Sequence, residues 1–167
     1  MNEMKTNTAL GLDPLNDESA VTHQITQYIV VKFGEEQYGI DIKYIDNIVR
    51  MQHITRVPKV PAYLKGVINL RGEVVPVMSV RLKMGLEEDV ETKATRIIIL
   101  KVEQHGNVGI LVDEVKEVVN LEDSQIEKTA YESRDDKMNF INGIGKYEGG
   151  LISLLNLNAV TVDREMA

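Results

Sequence analysis

The residue types that most often carry out chemistry are scattered along this chain rather than grouped. Its three histidines, His23, His53 and His105, lie far apart, and none has a second ligand at a metal-binding spacing. The chain contains no cysteine, which excludes disulfides, thiolate-bound zinc, iron–sulfur clusters and cysteine nucleophiles. The sequence therefore predicts no metal site and no catalytic residues.

Two other patterns begin like known site motifs but lack the residues that the chemistry needs. The stretch Gly143-Ile144-Gly145-Lys146-Tyr147-Glu148 starts as a dinucleotide-binding loop does, yet Glu148 stands where a third glycine is required. We interpret it as a β-turn. The acidic pairs Asp113-Glu114 and Glu122-Asp123 lack the alternating oxygen ligands of a calcium loop. The chain is thus predicted not to be an enzyme and to need no cofactor.

Composition places the chain among folded globular proteins. It has 167 residues, of which 43% are hydrophobic and 27% charged, and its 26 acidic residues outnumber its 19 basic ones to give a net charge of −7. This acidity argues against nucleic acid as a partner. No apolar run approaches the roughly 18 residues of a membrane helix, and no signal peptide begins the chain. We expect a cytoplasmic protein without direct membrane insertion, with a flexible tail at 1–25 and a short one at 164–167.

Short β-branched runs separated by turn residues predict a mostly β protein with short helical segments. Hairpin patterns occur at 28–42, 66–78 and 95–112, and a further strand is predicted at 151–155. Pro76 cannot donate a hydrogen bond to a sheet, so its strand is predicted to be at an edge, bulged or broken. Helical turns are predicted at 61–65, 79–84 and 156–160.

The two halves of the chain repeat one pattern. Aligning Gly39 with Gly109 matches the apolar residues that follow them at an offset of 70, and aligning Gly66 with Gly143 matches a second block at an offset of 77. The offsets differ by seven residues, which predicts an insertion at the polar stretch 132–137. A repeat of this size made of short strands favours two small barrels packed together, with a groove where they meet.

Several residues are candidates for structure or recognition in such barrels. The glycines predicted to be structural turn residues are Gly39, Gly66, Gly72, Gly109, Gly143 and Gly149. Arg71 lies in the predicted turn Leu70-Arg71-Gly72-Glu73, where a long cation projects from a rigid support, and arginine is enriched at interface hot spots. The segment 44–49 offers apolar residues that suit a partner helix, and 115–119 is expected to form the opposite wall.

Four blocks of the sequence resemble the CheW family of bacterial chemotaxis coupling proteins. The blocks are Tyr38-Gly39-Ile40-Asp41-Ile42, Gly66-Val67-Ile68-Asn69-Leu70-Arg71-Gly72, Val75-Pro76-Val77 and Val108-Gly109-Ile110-Leu111-Val112-Asp113-Glu114-Val115. The resemblance implies two intertwined five-stranded SH3-like barrels related by internal duplication. It places a CheW-like domain at 26–163, with one barrel at about 26–84, the other at about 95–162, and strands exchanged between them.

The resemblance also implies a non-catalytic adaptor with two partners. One is the regulatory domain of the chemotaxis histidine kinase CheA, and the other is the cytoplasmic tip of methyl-accepting chemoreceptors, so that the adaptor is recruited to membrane receptor arrays. Carried over to this chain, the receptor-binding residues are Ile45, Asn47, Ile48, Arg71 and Val118. The kinase contact is expected near Met51, Ile54 and Val57.

Two residues depart from the family pattern. Asn47 stands where many relatives carry glutamate, and Arg96 begins a strand where an apolar residue is often found. Both suggest a receptor adapted to this chain.

Two alternative functions stay open at this point. One is a CheV-like or other CheW-like adaptor that competes for the same partners, although no receiver domain is expected because the chain ends shortly after the last matched segment. The other is a small-ligand-binding or enzymatic β-barrel protein that uses the groove between the barrels. That alternative requires converging polar groups, and the sequence offers no candidate set.

Overall fold

The computed structural model describes residues 24–102, 106–128 and 140–161. Its first half contains β1 (Ile25–Phe33), β2 (Glu36–Asp41), β3 (Ile45–Arg50), β4 (Leu64–Leu70), β5 (Glu73–Ser79) and helix α1 (Val80–Lys83). Its second half contains β6 (Arg96–Val102), β7 (Gly106–Val112), β8 (Glu114–Glu122), β9 (Ile126–Lys128), β10 (Ile141–Tyr147), β11 (Gly150–Leu155) and helix α2 (Leu157–Thr161). The insertion predicted at 132–137, the tail at 164–167 and residues 1–23 of the predicted N-terminal tail lie outside the described residues.

Each sheet contains strands from both halves of the chain. The six-stranded sheet has the order β9-β10-β11-β2-β1-β8, and the five-stranded sheet has the order β3-β6-β7-β5-β4. The chain therefore crosses between the sheets twice, after β2 and after β7. The predicted mostly β fold with two intertwined, duplicated units is confirmed. One sheet has the expected five strands, and the short β9 gives the other a sixth. The residue limits proposed for each barrel stay a prediction.

The internal repeat appears as two equivalent parallel strand pairs, one in each sheet. Leu154 of β11 lies opposite Gly39 of β2, and Val77 of β5 lies opposite Gly109 of β7, both in parallel pairs. The two glycines are 70 positions apart and the two apolar residues 77, as the sequence offsets predict. A Cβ on Gly39 would lie 2.8 Å from Leu154 Cδ2, and one on Gly109 would lie 2.8 Å from Ile97 Cγ2. Each glycine therefore packs closely against buried side chains, of the parallel partner β11 at Gly39 and of the antiparallel neighbour β6 at Gly109.

The predicted turn role is wrong for four of the six glycines. Gly39, Gly66, Gly109 and Gly143 lie inside β2, β4, β7 and β10, where neighbouring atoms lie close to the glycine Cα. Only Gly72 and Gly149 lie in turns, with φ of 80° and 78°. The β-turn interpretation of 143–148 is also wrong as far as Tyr147, because β10 continues to that residue and pairs with β11.

Two smaller predictions also need correction. Pro76 does not lie in an edge strand, since β5 is between β7 and β4. However, β5 begins to pair with β7 only at Val77, so the proline precedes that ladder. The helical turn predicted at 61–65 is instead a turn in which Leu64 N–H donates to Pro61 O at 3.0 Å, and β4 begins at Leu64.

The hydrophobic core has three layers because both faces of the inner strands are buried. The largest group, here called the central cluster, lies between the sheets and includes Ile29 and Val31 of β1 and Ile98 and Leu100 of β6. The alternate residues of the same strands pack inside their own sheets. This explains the unbroken apolar run of β6, since an amphipathic strand would have alternated. Burying one such side chain contributes roughly 2 kcal/mol, so the two sheets are held together strongly.

Asp113 ties together the point where the chain passes from the five-stranded to the six-stranded sheet. Its carboxylate accepts two hydrogen bonds from the Arg81 guanidinium of α1, one of them 2.9 Å from Nε, and a third from Gly34 N–H at 2.7 Å. Burial raises the pKa of the Asp113 carboxyl, but the Arg81 and Gly34 hydrogen bonds and the nearby positive charges outweigh burial and bring this pKa below its usual value.

The glycines of the parallel strand pairs, Gly39 and Gly109, lead to one prediction about stability. Gly39→Ala should lower the free energy of unfolding by about 2 kcal/mol, because the new methyl group overlaps the buried side chain of Leu154, which must move out of its packed position. Gly150→Ala is the matched control, since its Cβ would lie no closer than 3.6 Å to Tyr147 O. Urea unfolding of both variants measures the difference. Equal stabilities for the two variants would contradict the close packing of Gly39 against Leu154.

Asp113 generates a pH-dependent prediction. Asp113→Asn should lower the free energy of unfolding by about 2 kcal/mol at neutral pH, because charge-assisted hydrogen bonds are lost. Since the folded-state pKa is depressed, this stabilisation is fully present above the ordinary pKa of about 4 and is lost as pH falls through the folded-state value. The stability difference between wild type and variant should therefore be constant from about pH 7 to pH 5 and shrink below about pH 4.

Urea unfolding at a series of pH values measures this difference, with the exposed Asp46→Asn as control. A stability difference between wild type and Asp113→Asn that stays constant into strong acid would show that the ionised Asp113 carboxylate does not stabilise the passage from β7 to β8.

Candidate functional site

Strand β3 directs two of the predicted receptor-binding residues toward the core between the sheets. Ile45 and Ile48 are half-buried and pack against the central cluster. Between Ile45 and Asn47 the pairing with β6 shifts by one residue, as in a β-bulge, which leaves Asp46 exposed. The Asn47 Oδ1 accepts the Ile48 N–H at 2.9 Å. Asn47 therefore supports the bulged backbone with a neutral hydrogen bond.

Val118 of β8 is the counterpart of Ile48 in the repeat. The two are 70 positions apart, and each lies on an edge strand opposite a buried isoleucine, Ile29 for Val118 and Ile98 for Ile48. Directly paired residues of antiparallel strands point to the same face, and both isoleucines belong to the central cluster. The side chain of Val118 is 52% exposed. Ile48 and Val118 thus extend the central cluster outward on two different sheets.

Arg71 occupies the tip of the β4–β5 hairpin in a backbone conformation that is unusual for a residue with a side chain. Arg71 and Gly72 have φ of 54° and 80°, as in the type I′ turn that joins two-residue hairpins. Gly72 N–H donates to Asn69 Oδ1 at 3.2 Å and supports the turn. The Arg71 side chain is exposed. Within the described residues it forms no ion pair, so its donors are available to a partner.

The equivalent hairpin of the other sheet has the same backbone but the opposite charge. Glu148 and Gly149 at the β10–β11 turn have φ of 48° and 78°, close to those of Arg71 and Gly72. The second residue after each turn pair continues the likeness, since Val74 and Leu151 are 64% and 65% exposed. The two hairpin tips therefore present similar shapes with different electrostatics.

The structure separates the predicted receptor-binding set into three locations. Ile45, Asn47 and Ile48 are on β3, Val118 is on β8 of the other sheet, and Arg71 is at the tip of β4 and β5. In the sheet order β3 and β4 are opposite edges, but the chain after β3 returns to β4. Thr55 and Val67 exchange two backbone hydrogen bonds of 2.8 Å, which close the five-stranded sheet into a barrel.

The connection between β3 and β4 forms a groove of about 580 Å³. Of the predicted kinase-contact residues, Ile54 and Val57 line this groove, whereas Met51 packs against the inner cluster of the five-stranded sheet. Three cationic residues that the sequence analysis did not single out also line it, namely Arg56, Lys59 and Lys65. The available signal was the spacing of Arg56, Lys59 and Lys65 around Pro58 and Pro61.

The second departure from the family pattern, Arg96, has a local structural role. Its Nη1 donates to the carbonyls of Lys93 and Thr95, both at 2.8 Å, and so holds the end of the connection that leads into β6.

Neither a metal site nor a membrane span is found in the part of the chain that the structure describes. No three histidine, cysteine, aspartate or glutamate residues among residues 24–102, 106–128 and 140–161 are grouped so that they could hold a metal ion. No helix in these ranges is both long and apolar enough to cross a membrane.

The protein consists of two strand-exchanged barrels. Exposed side chains lie at their hairpin tips, on their edge strands and around a surface groove. These features define a β-barrel scaffold of the protein-binding class. The chain belongs to the CheW family: the family model for the CheW-like domain matches residues 27–165. This family makes it a chemotaxis coupling adaptor.

Individual relatives and a solved structure agree with this assignment. The chemotaxis protein CheW of Bacillus subtilis is 37% identical over 137 residues, which are 82% of this chain and 86% of that protein. The chemotaxis protein CheW of Helicobacter pylori is 34% identical over 139 residues and 82% of each chain. The crystal structure of the scaffolding protein TtCheW from Thermoanaerobacter tengcongensis superposes with a TM-score of 0.77 at 29% identity, covering 84% of this chain and 95% of that one.

Proposed function

We propose that this protein is a non-catalytic adaptor that links methyl-accepting chemoreceptors to a CheA-type histidine kinase in cytoplasmic arrays at the membrane. The observation that carries the proposal is the match to the CheW-like domain over residues 27–165. The geometry supports it, because the chain presents several separate surfaces that suit protein partners. An adaptor needs at least two such surfaces, since both partners must be bound at the same time.

The receptor would bind where the central cluster reaches the surface. Ile45 and Ile48 on β3 and Val118 on β8 offer apolar side chains where two strands border the central cluster, and such side chains suit a helical hairpin lying in a groove. Arg71 would add charge-assisted hydrogen bonds to a receptor carboxylate or carbonyl from a turn that holds its backbone fixed. The kinase contact would lie on the β3–β4 connection, where Ile54 and Val57 are accessible.

Coupling would then be a matter of assembly rather than chemistry. A rigid adaptor that holds receptor and kinase in fixed positions lets a change in the receptor favour one kinase conformation over another. No bond needs to form or break in the adaptor itself. The strongly packed core between the two sheets suits this role, since a soft connection would absorb the movement.

The first test is reconstitution of kinase activity. Autophosphorylation of the cognate kinase with receptor-containing membranes should rise strongly when the wild-type protein is added, and Arg71→Glu should abolish most of that rise because the cation is reversed. Glu148→Arg is the matched control, since it changes the equivalent turn of the other sheet with the same backbone conformation. It should keep full activation.

The possible outcomes separate function from site. No rise with the wild-type protein and its cognate partners would overturn the coupling function. An equal rise with wild type and Arg71→Glu would keep the function but remove Arg71 from the receptor contact.

A second prediction concerns the exposed edge strand. Val118→Asp should weaken binding to receptor-containing membranes at least about tenfold, because a charge placed in an apolar contact must lose its hydration. The fold should be retained, since 52% of this side chain is already exposed. Co-sedimentation measures the affinity, with Val90→Asp as control because Val90 is 75% exposed in a loop and is not among the proposed contact residues. Equal binding by both variants would place the receptor elsewhere.

A further inference from the structure

The groove between β3 and β4 differs in charge from the rest of the molecule. The whole chain has a net charge of −7, yet Arg56, Lys59 and Lys65 all line this one groove. Lys65 is already paired, with its Nζ 2.7 Å from Glu88 Oε1. Arg56 and Lys59 are exposed and form no ion pair with any residue in the described ranges. The groove therefore offers two cations without a salt bridge beside the apolar side chains of Ile54 and Val57, and Arg56 is close enough to Glu88 to help Lys65 lower the pKa of that carboxyl.

Lys59 is held in a strained backbone conformation. Its φ is 60°, and it follows Pro58 within a turn, which is the type II pattern whose second central position suits glycine or asparagine. Lysine in that position carries a conformational cost of the kind that accumulates at functional sites. Pro58 and Pro61 limit the freedom of the loop on both sides. The lysine ammonium is therefore presented from a backbone that is already ordered before a partner binds.

We propose that this groove binds an acidic protein segment that also carries an apolar side chain. Carboxylates of the segment pair with Arg56 and Lys59, and its apolar side chain contacts Ile54 and Val57. The inference rests on the proposed function, because the segment is the one through which the kinase contacts the adaptor. A protein is favoured over nucleic acid or an anionic membrane, since two unpaired cations on an acidic chain give little attraction for a polyanion. The apolar lining, in contrast, favours burial of an apolar side chain of a protein partner.

The direct experiment measures binding of the purified cognate CheA-type kinase to the full-length adaptor by calorimetry. The double variant Arg56→Glu, Lys59→Glu should bind at least about tenfold more weakly than wild type, and its affinity should depend less on salt. Lys128→Glu is the control for a single charge reversal, because it replaces one exposed lysine on β9 of the other sheet and changes the net charge by half as much as the double variant. Equal affinities for wild type and the double variant would overturn the proposal while leaving the coupling function intact.

Lys59 allows binding to be separated from folding. Lys59→Gly removes the strain at positive φ and should raise the melting temperature by about 2 °C, yet it should weaken kinase binding because the ammonium is lost. Lys59→Arg should retain the affinity. A glycine variant that binds the kinase as well as wild type does would contradict a role for this cation.

Receptor binding distinguishes failure of the inference from failure of the proposed function. Receptor-containing membranes should bind the Arg56→Glu, Lys59→Glu variant and wild type equally, because none of the residues proposed to contact the receptor lines the groove. A wild-type protein that binds neither receptor nor kinase would sink the proposed function and the groove together. Loss of binding to protein-free anionic vesicles, with unchanged kinase affinity, would reassign the groove to a lipid surface and overturn the inference.

Discussion

The parallel pairing of β2 with β11 and of β5 with β7 is the contact on which the rest of the structure depends. The antiparallel ladders of β1 with β8 and of β3 with β6 also link the two halves of the chain, but without the two parallel ladders each sheet would divide into separate antiparallel pieces. Each parallel ladder includes a glycine, Gly39 or Gly109, at a point where a Cβ would lie 2.8 Å from a neighbouring side chain. Two small repeats thereby become one intertwined unit, in which neither repeat completes a barrel alone.

Exchange of strands also fixes how the two sheets face each other. The central cluster takes buried residues from both sheets, and the hydrogen bonds around Asp113 hold the passage from β7 to β8 against α1 and the β1–β2 turn. Surfaces on different strands therefore keep their relative positions. An adaptor that transmits geometry between partners benefits from this rigidity, because binding energy is not spent on ordering the scaffold.

Duplication supplied two similar frameworks, and side chains made them different. The hairpin tips share left-handed turn residues, but one carries Arg71 and the other Glu148. Ile48 is half-buried, while its counterpart Val118 is largely exposed. The loop after β3 carries the cationic groove, whereas the corresponding part of the other sheet contains the short strand β9. One fold can thus present unlike surfaces to unlike partners without any change in its backbone plan.

The sequence by itself determined the β content, three hairpins, the offsets of the repeat and the family, because alternation, turn residues and short motifs are properties of neighbouring residues. It also located Arg71 in its turn. Only the tertiary structure decided that Gly39, Gly66, Gly109 and Gly143 serve close packing inside strands, since the atoms that exclude a side chain come mostly from distant segments. The strand exchange was likewise decided by pairing between residues far apart in the chain, Gly39 with Leu154 and Val77 with Gly109. The cationic groove depends on the backbone hydrogen bonds between Thr55 and Val67 of β4, which bring Lys65 beside the loop that contains Arg56 and Lys59. Local sequence alone does not determine that arrangement.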